Sequence, residues 1–186
     1  MPFGMLTPEM EAALRPFVEG QTVWDLGAGD LTYAQKLLEL GAARVWAVDK
    51  RIPYGEIPER ITFIKGYFQN IHELGVPIST LFLSWPCNAS MAVPGLPTLA
   101  RGVETVIYLG HNLDGTCCGT WPLWHDLTHR EVLAHIPHPR NSFIVYGKPC
   151  GERPLLPEEH GAASASILSY EDAREMAQNS ASSSLS

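Results

Sequence analysis

Asp25, Gly27, Gly29 and Asp49 are the residues whose types and spacing point most directly to chemistry. In Val23-Trp24-Asp25-Leu26-Gly27-Ala28-Gly29-Asp30, two apolar residues lead into an acid and then a Gly-x-Gly step. The periodic segment 31–40 follows at once. That order predicts a buried strand turning sharply into a helix, with glycines where a ligand or the backbone must come close. Arg44-Val45-Trp46-Ala47-Val48-Asp49 reads as a second strand ending in a carboxylate, a usual place to hold a pair of ribose hydroxyls. Together the two stretches predict a site for a nucleotide-like cofactor. The bland alternative is a strand–glycine–helix turn that binds nothing.

The dinucleotide fingerprint wants Gly or Ala at position 32, where this chain has Thr32, and an apolar residue in place of Asp25. An acid before the Gly-x-Gly turn suits a cationic ligand better than a pyrophosphate. S-adenosylmethionine carries an ammonium and a sulfonium and no phosphate. On these residues the chain resembles the Rossmann-like, class I S-adenosylmethionine-dependent methyltransferases, closely over residues 23–49 and in layout as far as Gly147. The resemblance implies that Asp25 and the turn Gly27, Ala28, Gly29 and Asp30 face the methionine end, and that Asp49, followed by Lys50, holds the ribose. Tyr67 and Phe68 follow the third strand and offer an aromatic face to adenine, and Ser84 completes the candidate cofactor set. Many relatives carry an acid where this chain has Tyr67; Gln69 or Asn70 would substitute. Leu31 stands where many have a third glycine.

In open parallel sheets, ligands sit beyond the carboxyl ends of the strands. Ser84-Trp85-Pro86-Cys87-Asn88 belongs to that edge and is similar to the motif of amino-group methyltransferases of nucleic acids at Ser84 and Pro86, but not at Trp85 and Cys87. Pro86-Cys87 also resembles the pair that supplies a thiolate in cytosine-carbon methyltransferases. Their partner Glu-Asn is replaced here by His111-Asn112. A nucleophilic thiolate needs electropositive neighbours, and the sequence places none beside Cys87, so Cys87 is read as a pocket wall. The candidates for the reacting side are therefore Ser84, Trp85, Pro86, Cys87, Asn88, His111 and Asn112, with no role assigned among them. His111-Asn112-Leu113-Asp114-Gly115 is equally a turn signal.

His125-Asp126-Leu127-Thr128-His129 imitates a zinc-protease helix with Asp in place of Glu. A helix after the fifth strand runs away from the carboxyl edge, and Asp is short for activating zinc-bound water. The segment is expected to be a solvated helix face, and no metal is expected.

The remaining sequence must position these groups. Thr7-Pro8-Glu9 starts a helix with Met10, Ala13, Leu14 and Phe17 on one face, and Pro16 is expected to end or bend it. Leu31, Ala34, Leu37 and Leu38 form a second helical stripe closed by Gly41. Apolar runs at 61–64, 80–83 and 105–109 read as buried parallel strands, and 131–136 with 142–146 as an antiparallel pair. The expected fold is α/β: a Rossmann-like, doubly wound, mostly parallel sheet ending in an antiparallel hairpin, in a three-layer sandwich. Residues 1–150 form the expected cofactor domain. Residues 151–186 form a Pro/Ser-rich tail, expected to be partly disordered, with a short helix over 169–178.

The 186 residues suffice for one domain with a sizeable core. Apolar content of 45% and charged content of 18% fit a soluble, cytoplasmic chain, and the start carries Glu9 and Glu11 where a secretory leader would be basic. Cys87, Cys117, Cys118 and Cys150 lack a disulfide spacing and are expected to be free thiols. A net charge of −7 disfavours non-specific nucleic-acid binding. The resulting expectation is methyl transfer from S-adenosylmethionine, with S-adenosylhomocysteine as product. The acceptor is a small molecule or an exposed group on a macromolecule. The alternatives are a non-catalytic cofactor-fold module with a binding or regulatory role, and a nucleic-acid base methyltransferase using residues 84–88. A nicotinamide oxidoreductase is opposed by Asp25 and Thr32.

Overall fold

Short, nearly continuous apolar runs bury on both sides, so they become interior strands, and the amphipathic segments between them become the cover. A computed structural model of the chain describes residues 5–66, 77–86, 102–111, 121–138 and 142–150. Its elements, in order, are α1 (Pro8–Val18), β1 (Thr22–Leu26), α2 (Thr32–Glu39), β2 (Arg44–Asp49), β3 (Ile61–Lys65) and β4 (Thr80–Ser84). β5 (Thr105–Gly110), α3 (Trp121–Thr128), β6 (Arg130–Ile136) and β7 (Ser142–Pro149) follow. All strands join one seven-stranded sheet in the order β3-β2-β1-β4-β5-β7-β6.

β3, β2, β1, β4 and β5 are parallel, and β7 runs antiparallel between β5 and β6. The chain winds outward from β1 to β3, then returns to add β4 and β5 on the other side. That reversal puts a switch point between β1 and β4, where open sheets form their ligand crevice. The fold is thus the Rossmann-like sheet with an antiparallel end that the sequence predicts.

Strand alternation divides the core into two layers. Val23, Val45, Ala47, Phe82, Ile107 and Val145 face α1 and α2. Trp24, Leu26, Leu81, Leu83, Val106 and Tyr108 face α3. Trp24 and Trp46 stack on the α3 side, with centroids 5.1 Å apart and an interplanar angle of 10°.

Three local expectations are corrected. α1 continues past Pro16 to Val18, because its buried stripe is Met10, Leu14 and Val18, and Val18 anchors the last turn in the core. Ala13 and Phe17 are only partly buried against that layer. β7 does not stop at Tyr146 but runs to Pro149, which pairs with Arg130 at the strand end, where a missing N–H is tolerated. Asp126 does not lie on a solvated face. It is buried, and its Oδ2 accepts from Arg130 Nε at 3.3 Å, while Arg130 Nη1 donates to Val103 O and Gly147 O. His129 falls outside the helix, in the turn to β6.

Candidate functional site

The glycine turn is laced to the end of β2. Gly27 N and Ala28 N both donate to Val48 O, at 2.8 and 3.1 Å, and Gly29 N donates to Asp49 Oδ2 at 3.0 Å. Asp49 Oδ1 accepts from Arg51 N at 2.8 Å. Gly27 and Gly29 hold φ of +86° and +56°, a region only glycine enters without strain, and a Cβ on Gly29 would find nothing closer than Gly27 O at 4.0 Å. The turn therefore leaves open space above Gly29, next to the strand-end carboxylate. Asp30 Oδ1 accepts from Thr32 N at 3.1 Å, and that contact with Thr32 holds the Asp30 carboxyl below its ordinary pKa. Asp30 so caps the start of α2. Leu31 takes the left-handed φ of +66° that a third glycine would take, and its side chain is buried.

Asp25 lies in register between Ala47 of β2 and Phe82 of β4, on the side of the sheet covered by α1 and α2. It is fully buried, and neither carboxylate oxygen has a hydrogen-bond partner. Burial first, then the nearby charges of Asp49 and Asp30, push its pKa from 3.8 up to about 7. Tyr33 of α2 packs tilted on Phe82, ring centroids 5.5 Å apart. Burial, Asp25 and Asp30 raise its phenol to about 12. A buried acid without a partner, among other acids, is an electrostatic vacancy for a cation. Phosphate would meet repulsion at the same place.

The ends of β4 and β5 form the other half of the edge. Trp85 has a φ of +47°, a strained value for a bulky side chain. Trp85 N donates to Leu109 O at 2.7 Å, which ties the turn to β5, and its ring meets His111 edge-on at 4.9 Å. Tyr108 folds back so that its hydroxyl donates to His111 O at 2.7 Å. Gly110 permits this, since a Cβ there would lie 2.5 Å from the Tyr108 hydroxyl oxygen.

Of the residues singled out in the sequence, Asp25, Gly27, Ala28, Gly29, Asp30, Asp49 and Lys50 gather at the carboxyl ends of β1 and β2. Ser84, Trp85, Pro86 and His111 gather at those of β4 and β5. Tyr67, Phe68, Gln69, Asn70, Cys87, Asn88, Asn112, Cys117, Cys118 and the segment 151–186 lie outside the described residues. The parts played by Tyr33 and Tyr108 have no signal in the sequence beyond the step of one helical turn from Gly29 to Tyr33, whereas Leu31 stands at the third-glycine position that the sequence marks. Among the described residues no group of three or more His, Cys, Asp or Glu could hold a metal, and no helix is long and apolar enough to cross a membrane.

Solved structures of methyltransferases share this fold. The chain is similar to the ribosomal protein L11 methylase of Lactobacillus delbrueckii subsp. bulgaricus, with a TM-score of 0.56 and 16% identity, over 80% of this chain and 82% of that one. It is similar to the precorrin-6y C5,15-methyltransferase of Geobacter metallireducens GS-15, with a TM-score of 0.54 and 13% identity, over 80% and 93%. A candidate hemolysin of Lactococcus lactis shares the fold as well, with a TM-score of 0.54 and 18% identity, over 80% and 88%. At these identities the likeness is one of fold, and a fold does not fix an activity. No family model matches the chain, and no curated protein matches it by sequence.

Proposed function

We propose that the chain binds S-adenosylmethionine at the ends of β1 and β2 and transfers its methyl group to an acceptor held at the ends of β4 and β5. The unpartnered, buried carboxyl of Asp25 is the observation that carries this reading. It suits a ligand whose reacting end is cationic. Asp49 keeps lone pairs for ribose hydroxyls beside those used by Gly29 N and Arg51 N, with Lys50 next in the chain, and no side chain crowds the position over Gly29. S-adenosylmethionine supplies the activated methyl group. Transfer from a sulfonium is an in-line displacement, so the chain's own contribution is alignment and exclusion of water. The Trp85–His111 corner, with Ser84 and Pro86 beside Trp85 in the chain, supports an acceptor lying at the ends of β4 and β5. The likeness in fold to a protein methylase and to a precorrin methyltransferase is consistent with this chemistry and leaves the acceptor open.

Calorimetric titration with S-adenosylmethionine, S-adenosylhomocysteine and NADH tests the reading. The expected result is micromolar binding of the first two, about 8 kcal/mol, and none of NADH. Tight NADH binding, or no binding of either adenosyl compound, would overturn it.

A further inference from the structure

We propose that Asp25 is a proton-exchanging counter-ion: its carboxyl is protonated in the free protein and gives its proton to solvent when a cationic ligand arrives. The proposal rests on the cofactor reading but concerns a step which that reading does not contain. The geometry leaves the carboxylate no means of being stable alone. Both oxygens are buried and lack partners, and the register neighbours Ala47 and Phe82 are apolar.

Among the described residues, the two charges that act on Asp25 both have the wrong sign. From the end of β2 comes Asp49, and from the turn into α2 comes Asp30. From α2 itself comes Tyr33, a neutral phenol held neutral by its own surroundings. Of the cations on the two covering helices, Lys36 of α2 is engaged elsewhere, 3.3 Å from Glu11 and 2.8 Å from Glu39, and Arg15 of α1 is exposed to solvent. β4 presents Phe82 at this level and Ser84 beyond it, neither charged. An ionised carboxylate in such a place pays desolvation and repulsion together, and the neutral acid avoids both.

A bound ammonium or sulfonium reverses the balance. The Asp25 O–H bond breaks, the proton passes to buffer, the electron pair stays on the carboxylate, and the ligand keeps its own protons. The site therefore changes its charge by as much as the ligand's cation brings. It stays uncharged at this point whether empty or filled.

The test is calorimetry of the full chain at pH 7 in buffers of different ionisation enthalpy. S-adenosylhomocysteine keeps the ammonium, and 5′-methylthioadenosine keeps the nucleoside but drops the amino-acid end. The expected result is release of about half a proton per S-adenosylhomocysteine bound, approaching one near pH 6 and none near pH 9. 5′-Methylthioadenosine should release none, and Asp25→Asn should abolish the release. Binding of S-adenosylhomocysteine without release at pH 6–7, or equal release in Asp25→Asn, would overturn the proposal while leaving the cofactor reading intact.

A second measurement needs no ligand. The infrared spectrum of the free chain at pH 6 should contain a protonated-carboxyl band that is missing from Asp25→Asn. Absence of that band also overturns the proposal. A chain that shows the band but binds neither nucleoside would overturn the cofactor reading and the exchange together, since no ligand would then take the proton's place.

Discussion

At the scale of single residues, two positions carry strain or cost that their neighbours hold in place. Asp25 is buried without a hydrogen-bond partner, and the pKa that burial raises to about 7 makes it a liability at high pH. In the unfolded chain it ionises near pH 4, but in the fold only near 7, so the folded state binds the extra proton between those values. Stability must then fall as pH rises from about 4 to about 7, with a total penalty of about 4 kcal/mol at most. Asp25→Asn removes the titration, so the variant should match the native chain near pH 4–5 and exceed it at pH 8 in urea unfolding. A variant whose pH profile parallels that of the native chain would contradict this. Leu31 holds a left-handed φ, which costs about 1–2 kcal/mol, yet its side chain is buried between α2 and the sheet. Deleting a buried leucine costs about 3–5 kcal/mol, so burial outweighs strain. Leu31→Gly should destabilise the fold by about 2–3 kcal/mol, although glycine fits the backbone better. An increase in stability would show that the side chain contributes little packing.

At the scale of elements, Arg130 ties together three pieces that are distant along the chain: Asp126 of α3, Val103 ahead of β5, and Gly147 of β7. It fixes where the helix ends and the antiparallel pair begins. Removing one member of a buried ion pair strands the other charge, so Asp126→Ala should cost about 3–5 kcal/mol in chemical denaturation. Asp126→Ala combined with Arg130→Met should cost less than the two single changes added together. Strict additivity would mean that the pair is not coupled. The i,i+4 spacing of Asp126 and Arg130 is legible in the sequence, but the burial that makes the pair structural follows only from how α3 packs on the sheet. Helix and strand positions were otherwise legible, because runs such as 80–83 and 105–109 are too short and too apolar for anything but interior strands. Pro16 does not end α1, because a proline near the end of a helix forfeits one hydrogen bond, whereas burying Val18 secures the final turn.

For the molecule as a whole, the order of elements could be read from the alternation of strands and helical stripes, and so could the gathering of candidate residues at the carboxyl ends of the strands; the β1/β4 reversal came from the strand order. The side of the sheet on which each group lies could not. That Asp25 faces the α1/α2 layer with no partner, while Trp85 packs toward the opposite layer and meets His111, follows from register and tertiary contact. The same limit applies to Tyr108, whose path back to His111 depends on the absence of a side chain at Gly110.

The pairing of β6 with β7 slips between Arg130 and Val132 and again between Val132 and Ala134, and β6 forms one margin of the sheet. Val132 and Leu133 are exposed there. A straight margin with such residues would be a template on which another molecule could lay its own strand and begin a fibril. The two opposite register shifts around Val132 break the even spacing of the ladder that such growth requires. The irregularity at β6 thus protects the chain against polymerising through its own sheet, and it does so without placing a charge at either apolar position.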